Sequence, residues 1–187
     1  LPKNNPQYGP RLRIIDATLD SIVHNGVAGT TMRVVADKAD VSLGSIAYYF
    51  NDKDGLLAAT FSIFAERSVA DFGSYFTGIA SLDDARAALS QMLIASAASR
   101  KTLILGTELY TLSLRRPLHR MNLLEWTQGC RNVMGQYFDA HTTYLLDAFY
   151  EGLLLHRSMS LGEFTEDRIN LAITRLTPPE SYIGPGA

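Results

Sequence analysis

Hydrophobic positions recur at three- and four-residue steps from about residue 10 to about residue 176, and no run of strand alternation interrupts them. This spacing predicts an all-α protein of about nine helices. The first is expected over Pro10 to His24, with Ile15, Leu19 and Ile22 on one stripe; Asn25-Gly26 ends it, because Gly accepts a left-handed cap. Thr31 suits the N-cap of a second helix, Met32 to Lys38, and Ser42 that of a third, Leu43 to Phe50, with Ala39-Asp40-Val41 as the tight turn between them. A long helix follows from Lys53 toward Phe76. Five more are expected: one over 82–98, then Lys101 to Arg115, Leu118 to Asp139, Thr142 to Ser158 and Thr165 to Leu176. Arg116-Pro117 breaks the chain between two of them. Residues 1–9 read as a flexible arm and 177–187, rich in Pro and Gly, as an irregular tail.

Composition narrows the class. With 187 residues, 47% hydrophobic and 19% charged, the chain has the mixture of an ordinary globular protein. No apolar run is long enough to cross a bilayer, so no membrane partner is expected. The chain opens at Leu1 without Met and without an apolar signal region; the expectation is a native start upstream, which leaves a cleaved presequence open, and a cytoplasmic location by default. The single Cys130 excludes an internal disulfide, and one Cys with four scattered His makes no zinc spacing, so neither a metal nor another cofactor is expected. Net charge is −2. Within residues 1–55, Lys3, Arg11, Arg13, Arg33, Lys38 and Lys53 are balanced by Asp16, Asp20, Asp37, Asp40, Asp52 and Asp54. Any affinity for nucleic acid must therefore come from where charges sit, not from their sum.

Residues 31–50 carry the strongest pattern. Two short helices joined by a three-residue turn make a helix-turn-helix. Ala36 is small enough for a close helix crossing, Asp40 tolerates the left-handed turn, and Val41 and Ile46 point inward. Met32, Val35 and Phe50 complete a small core with Ile15 and Leu19. Leu43, Gly44 and Ser45 are left facing outward at the start of the third helix, the end that enters the major groove in such motifs. Thr31 and Ser42 place hydroxyls at helix N-termini that suit phosphate. Arg33, Tyr48, Tyr49 and Lys53 are further candidates for phosphate contact, with Lys38, Lys3, Arg11 and Arg13 beside them.

The run Gly26, Thr30-Thr31, Val35-Ala36, Ala39-Asp40-Val41-Ser42, Gly44-Ser45-Ile46, Tyr48-Tyr49-Phe50, Lys53 and Leu56-Leu57 resembles the DNA-binding signature of the TetR family over about residues 10–57. Two positions depart from the family pattern: Asp40 stands where Gly is usual, and Ala47 where Tyr is frequent. The resemblance implies a helix-turn-helix domain at 10–52 followed by a larger helical domain at 53–176 for ligand binding and dimerisation. It implies a homodimer through the last two helices. There Tyr144, Leu145, Ala148, Phe149, Gly152 and Leu153, with Ile169 and Ile173, would form a four-helix bundle. It also implies a small-molecule pocket among the middle helices, for which Phe72, Phe76, Met92, Glu108, Tyr110, Trp126, Cys130 and Met134 are candidates; their aromatic and Met side chains suit an apolar or aromatic guest. The function so implied is a repressor that an effector releases from a palindromic operator in double-stranded DNA. Two other readings stay open on the residues: a helical protein-protein adaptor without DNA binding, favoured by the balanced charge of residues 1–55, and a small-molecule enzyme, for which no catalytic motif is present.

Overall fold

A computed structural model describes residues 9–187. Residues 1–8, with Lys3 and nearly all of the expected arm, lie outside the described residues. The described residues hold nine α-helices: α1 (Pro10–Gly29), α2 (Met32–Ala39), α3 (Leu43–Phe50), α4 (Lys53–Ser74), α5 (Leu82–Ala98), α6 (Arg100–Arg115), α7 (Arg120–Met134), α8 (Ala140–Ser158) and α9 (Glu166–Leu176). They hold no β-strand, and an isolated antiparallel bridge joins Phe138 to Tyr182.

Local chemistry sets these boundaries. Gly26 does interrupt α1, at φ 67° and ψ 173°, but helical turns resume as far as Gly29, five residues beyond the expected stop. Pro117 opens a single 3₁₀ turn, Pro117–His119, between α6 and α7. The helix expected to reach Asp139 ends at Met134. Gly135 follows, its N–H bonded to Arg131 O at 2.8 Å, and Asp139 is instead the N-cap of α8, its carboxylate accepting from Thr142 N at 2.7 Å. The tail has no α-helix but forms a 3₁₀ turn, Pro179–Ser181, and Thr177, Ser181 and Tyr182 are buried. Ile183 N–H bonds to Tyr137 O, and Arg86 holds Thr177 through both its side-chain hydroxyl and its carbonyl.

Two compact units form, interleaved in sequence: Leu1–Glu66 with Ile104–Leu123, and Arg67–Leu103 with Leu124–Ala187. A division at 52/53 thus falls inside the first unit. In that unit Ile14, Ile15, Leu19 and Ile22 of α1 are buried with Val35, Ile46 and Phe50, and the first turns of α4 add Leu56, Leu57 and Phe61. The second unit packs α5 on α8 and α9. Its core contains Phe72, Met92, Trp126, Met134, Phe138 and Ile173.

Candidate nucleic-acid interface and ligand cavities

The α2–α3 corner is held by short-range bonds. Thr31 Oγ1 accepts from Val34 N at 3.2 Å and Ser42 Oγ from Ser45 N at 3.1 Å, so each helix start has one of its free amides satisfied. Asp40 takes the left-handed conformation, φ 52° and ψ 55°, and the following amide, Val41 N, closes the turn onto Ala36 O at 3.1 Å. Glycine is therefore not required in the turn, because Asp tolerates this region better than other side chains. Val35, Ala36 and Ile46 are buried, whereas Val41 is only half-buried.

The opposite surface of α3 faces water. Leu43 and Gly44 are exposed, Ser45 is half-buried, and its hydroxyl shares a 2.9 Å hydrogen bond with Ser42 Oγ. Tyr48 is 81% exposed and packs edge-on against Tyr49 at 5.1 Å between ring centroids, so it is no core aromatic. Thr31, Arg33 and Lys38 are exposed as well. Arg11 lays its guanidinium over the Phe50 ring at 5.6 Å. The join between α3 and α4 depends on Asp52 and Gly55. Asp52 Oδ1 accepts from Gly55 N at 2.8 Å, and Gly55 lies against the Phe50 carbonyl with no room for a Cβ. A carboxylate three residues before Gly55 was the available signal, the usual spacing of an N-cap.

Lys53 is placed differently from the other expected DNA contacts. It is half-buried, and its ammonium donates to Val27 O at 2.8 Å. The amide of the same Val27 donates to Glu108 Oε2 at 3.3 Å. Gly26 suits this position because its φ is +67°, and a Cβ would come within 2.8 Å of Glu108 Oε1 and push that carboxylate aside. Glu108, expected in the ligand pocket, thus belongs to the first unit and faces the end of α1; Tyr110 belongs to that unit too. Around the Val27 contacts opens a cavity of about 650 Å³, lined also by Leu57, Leu112 and Arg115. On its wall Arg116 Nη1 bonds both oxygens of Asp54, at 2.7 and 2.6 Å. Behind Asp54 the buried His119 has its Nε2 at 4.0 Å; burial lowers its pKa, and the Asp54 carboxylate opposes that shift.

In the second unit Phe72, Phe76, Met92, Trp126, Cys130 and Met134 are all buried. Of these, Phe72 lines a cavity of about 250 Å³, together with Ser68, Asp71, Tyr75, Ser96 and Tyr150. Phe72 meets the Tyr150 ring edge-on at 5.7 Å. Ser68 and Asp71 lie three residues apart on one face of α4, and Tyr75 follows its last residue, Ser74; sequence reading attended to this helix only for its apolar residues. Burial, reinforced by Glu151 and Asp147, pushes the Cys130 thiol far above its ordinary pKa, so it is no thiolate at neutral pH.

The expected dimer residues divide. Leu153, Ile169 and Ile173 are buried in the core of their own unit, because they lie on the faces of α8 and α9 that pack within it. Tyr144, Leu145 and Ala148 are exposed, Phe149 and Gly152 half-buried, and a Cβ at Gly152 would meet nothing within 4 Å. Leu171, expected to give apolar surface on the last helix, is exposed too, and so are Leu155 and Met159, which were not anticipated. Beneath this face Arg131 bonds Asp147 Oδ2 through Nε at 2.9 Å and Nη2 at 2.7 Å, and its guanidinium lies 5.0 Å from the Tyr144 ring centroid. Burial raises the Asp147 pKa against the pull of Arg131.

Residues 14–60 match the sequence profile of bacterial regulatory proteins of the tetR family. The regulator BetI of Burkholderia thailandensis, an HTH-type transcriptional regulator, is 48% identical over 60 residues, 32% of this chain and 31% of BetI. The match therefore spans about a third of that relative's length. A solved member of the TetR family from Streptomyces coelicolor A3 is 30% identical with a TM-score of 0.76, covering 90% of this chain and 98% of its own. The multidrug binding protein EbrR, solved in complex with ethidium, is 30% identical with a TM-score of 0.77, over 91% of this chain and 99% of EbrR.

Proposed function

The chain belongs to the TetR family of helix-turn-helix transcriptional regulators, and from that membership we propose that it is a repressor that binds a palindromic operator as a homodimer and is released by a small molecule. The observation that carries this reading is the N-terminal end of α3. Leu43, Gly44 and Ser45 stand there on a surface pinned by two side-chain caps, ready to meet base edges. Thr31, Ser42, Tyr48 and Tyr49 contact phosphates beside them, with Arg33 as an exposed cation and Lys53 contributing the N–H donors that Val27 leaves free. The exposed stripe of Tyr144, Leu145, Ala148 and Leu155 on α8 with Leu171 on α9 forms the isologous contact to a second copy. The paired α3 helices then reach half-sites about 34 Å apart.

The effector occupies the cavity lined by Phe72, Tyr75, Tyr150, Asp71 and Ser96. Aromatic rings beside a carboxylate suit a compact aromatic molecule with a cationic or donor group, and the ethidium complex of EbrR supports this class. The effector favours a subunit geometry whose reading helices no longer match adjacent grooves. Titration of a labelled duplex library at rising salt tests the core of the proposal. Expected is tight binding whose logarithm falls linearly with the logarithm of salt concentration. Well-folded protein with no such binding would point instead to a protein-binding adaptor.

A further inference from the structure

The cavity of the first unit has balanced ionic walls: Lys53, Arg115 and Arg116 face Asp52, Asp54 and Glu108. Part of this charge is already matched, since Arg116 holds both oxygens of Asp54 and Asp52 caps the amide of Gly55. Three groups keep capacity for a ligand. Glu108 uses Oε2 on Val27 N and leaves Oε1; Lys53 spends one of its three N–H donors on Val27 O; Arg115 is exposed, with no ion pair among the described residues. A carboxylate and an ammonium thus flank a single residue, and Val27, Leu57 and Leu112 supply apolar wall beside them. A purely anionic guest would leave Glu108 facing its charge, and a purely cationic one would face Lys53 and Arg115. A guest carrying both charges satisfies each wall.

We propose that this cavity binds an amino-acid-like zwitterion with an apolar or aromatic side chain, its ammonium on Glu108, its carboxylate between Lys53 and Arg115, and its side chain against Leu57 and Leu112. The volume, about 650 Å³, is ample for such a molecule. The site is separate from the cavity assigned to the effector above. It carries a regulatory consequence, which rests on the reading of Lys53 as a phosphate contact: a bound carboxylate takes the donors that DNA would use, so zwitterion and DNA oppose each other, and the opposition is reciprocal.

The test is calorimetric titration of the full chain with L-phenylalanine, 3-phenylpropionate and phenethylamine, paired with amide NMR shifts. Expected is binding of L-phenylalanine with shifts centred on Val27 and Gly26, and binding at least about tenfold weaker for the two analogues that lack one charge. Glu108→Gln and Arg115→Ala should each weaken L-phenylalanine binding by about tenfold while leaving helicity and melting unchanged. No binding of L-phenylalanine at millimolar concentration would overturn the site, as would equal affinity for all three probes or shifts confined to the Tyr150 cavity. DNA affinity is then measured with and without the amino acid. A several-fold loss supports the opposition. Binding of L-phenylalanine without any change in DNA affinity keeps the site and refutes the coupling through Lys53, whereas loss of the operator reading itself would show as absence of DNA binding by the ligand-free protein.

Discussion

Two surfaces of this chain leave side chains in water for opposite reasons. On the α2–α3 corner the exposed groups are mostly polar, Thr31, Arg33, Lys38 and Tyr48 among them with Leu43 beside them, and the helix starts are held by caps, Thr31 on Val34 and Ser42 on Ser45. On α8 and α9 they are aliphatic and aromatic, Leu145, Leu155 and Leu171 among them. The first surface needs little covering, because most of its groups form hydrogen bonds with water, which phosphates and base edges would replace under the proposed function. The second forgoes hydrophobic stabilisation as long as it stays bare, at about 25 cal/mol per Å² of apolar area. The contrast teaches what the two proposed roles require: a polar surface can exchange water for DNA, whereas an apolar one gains by staying covered.

Mutations can break or sharpen this contrast. The largest effect is expected from Leu145→Glu combined with Tyr144→Glu: sedimentation should show a folded monomer, and operator affinity should fall by two or more orders of magnitude once two half-sites no longer act together. An intact dimer would remove α8 from the interface. Arg131→Met should destabilise the fold by about 3 kcal/mol, because it strands the buried Asp147 carboxylate. Asp147 already has a raised folded pKa, so the loss should be greatest above that pKa and shrink as pH falls through it and the carboxylate protonates. Urea unfolding at several pH values reads both. Ser42→Ala should lower stability by about 1 kcal/mol through the lost cap, and should weaken DNA binding as well. Tyr48→Phe should leave melting unaltered, since the ring is already in water, and weaken all duplexes alike by a few-fold. A change confined to one base position would contradict its assignment to phosphate.

Much of the fold was legible because local chemistry and pattern agree. Thr31, Asp40 and Ser42 each act over three or four residues, so their roles as caps and turn could be read from spacing alone. Gly135 and Asp139 carry the same kind of signal, but a long apolar periodicity outweighed it, and α7 was drawn five residues too long. The cavity-lining residues were harder to read. Glu108 meets Val27 across 81 positions, and nothing local to either residue announces that contact. Periodicity marks which face of a helix is apolar, not which of several neighbours will cover it. For that reason Leu153, Ile169 and Ile173, all on apolar stripes, could be assigned to an interface when they lie in the core. Lys53 shows the same gap: its family position suggests phosphate, while the backbone carbonyl it holds lies in another helix.

The most direct test of the central claim is selection of bound sequences from a random duplex pool by the full chain at near-physiological salt. The account predicts enrichment of a two-fold symmetric site whose half-sites lie about one helical turn apart, with sequence preference altered by Ser45→Ala. Recovery of the unselected pool by folded protein, free of bound small molecules, would contradict it.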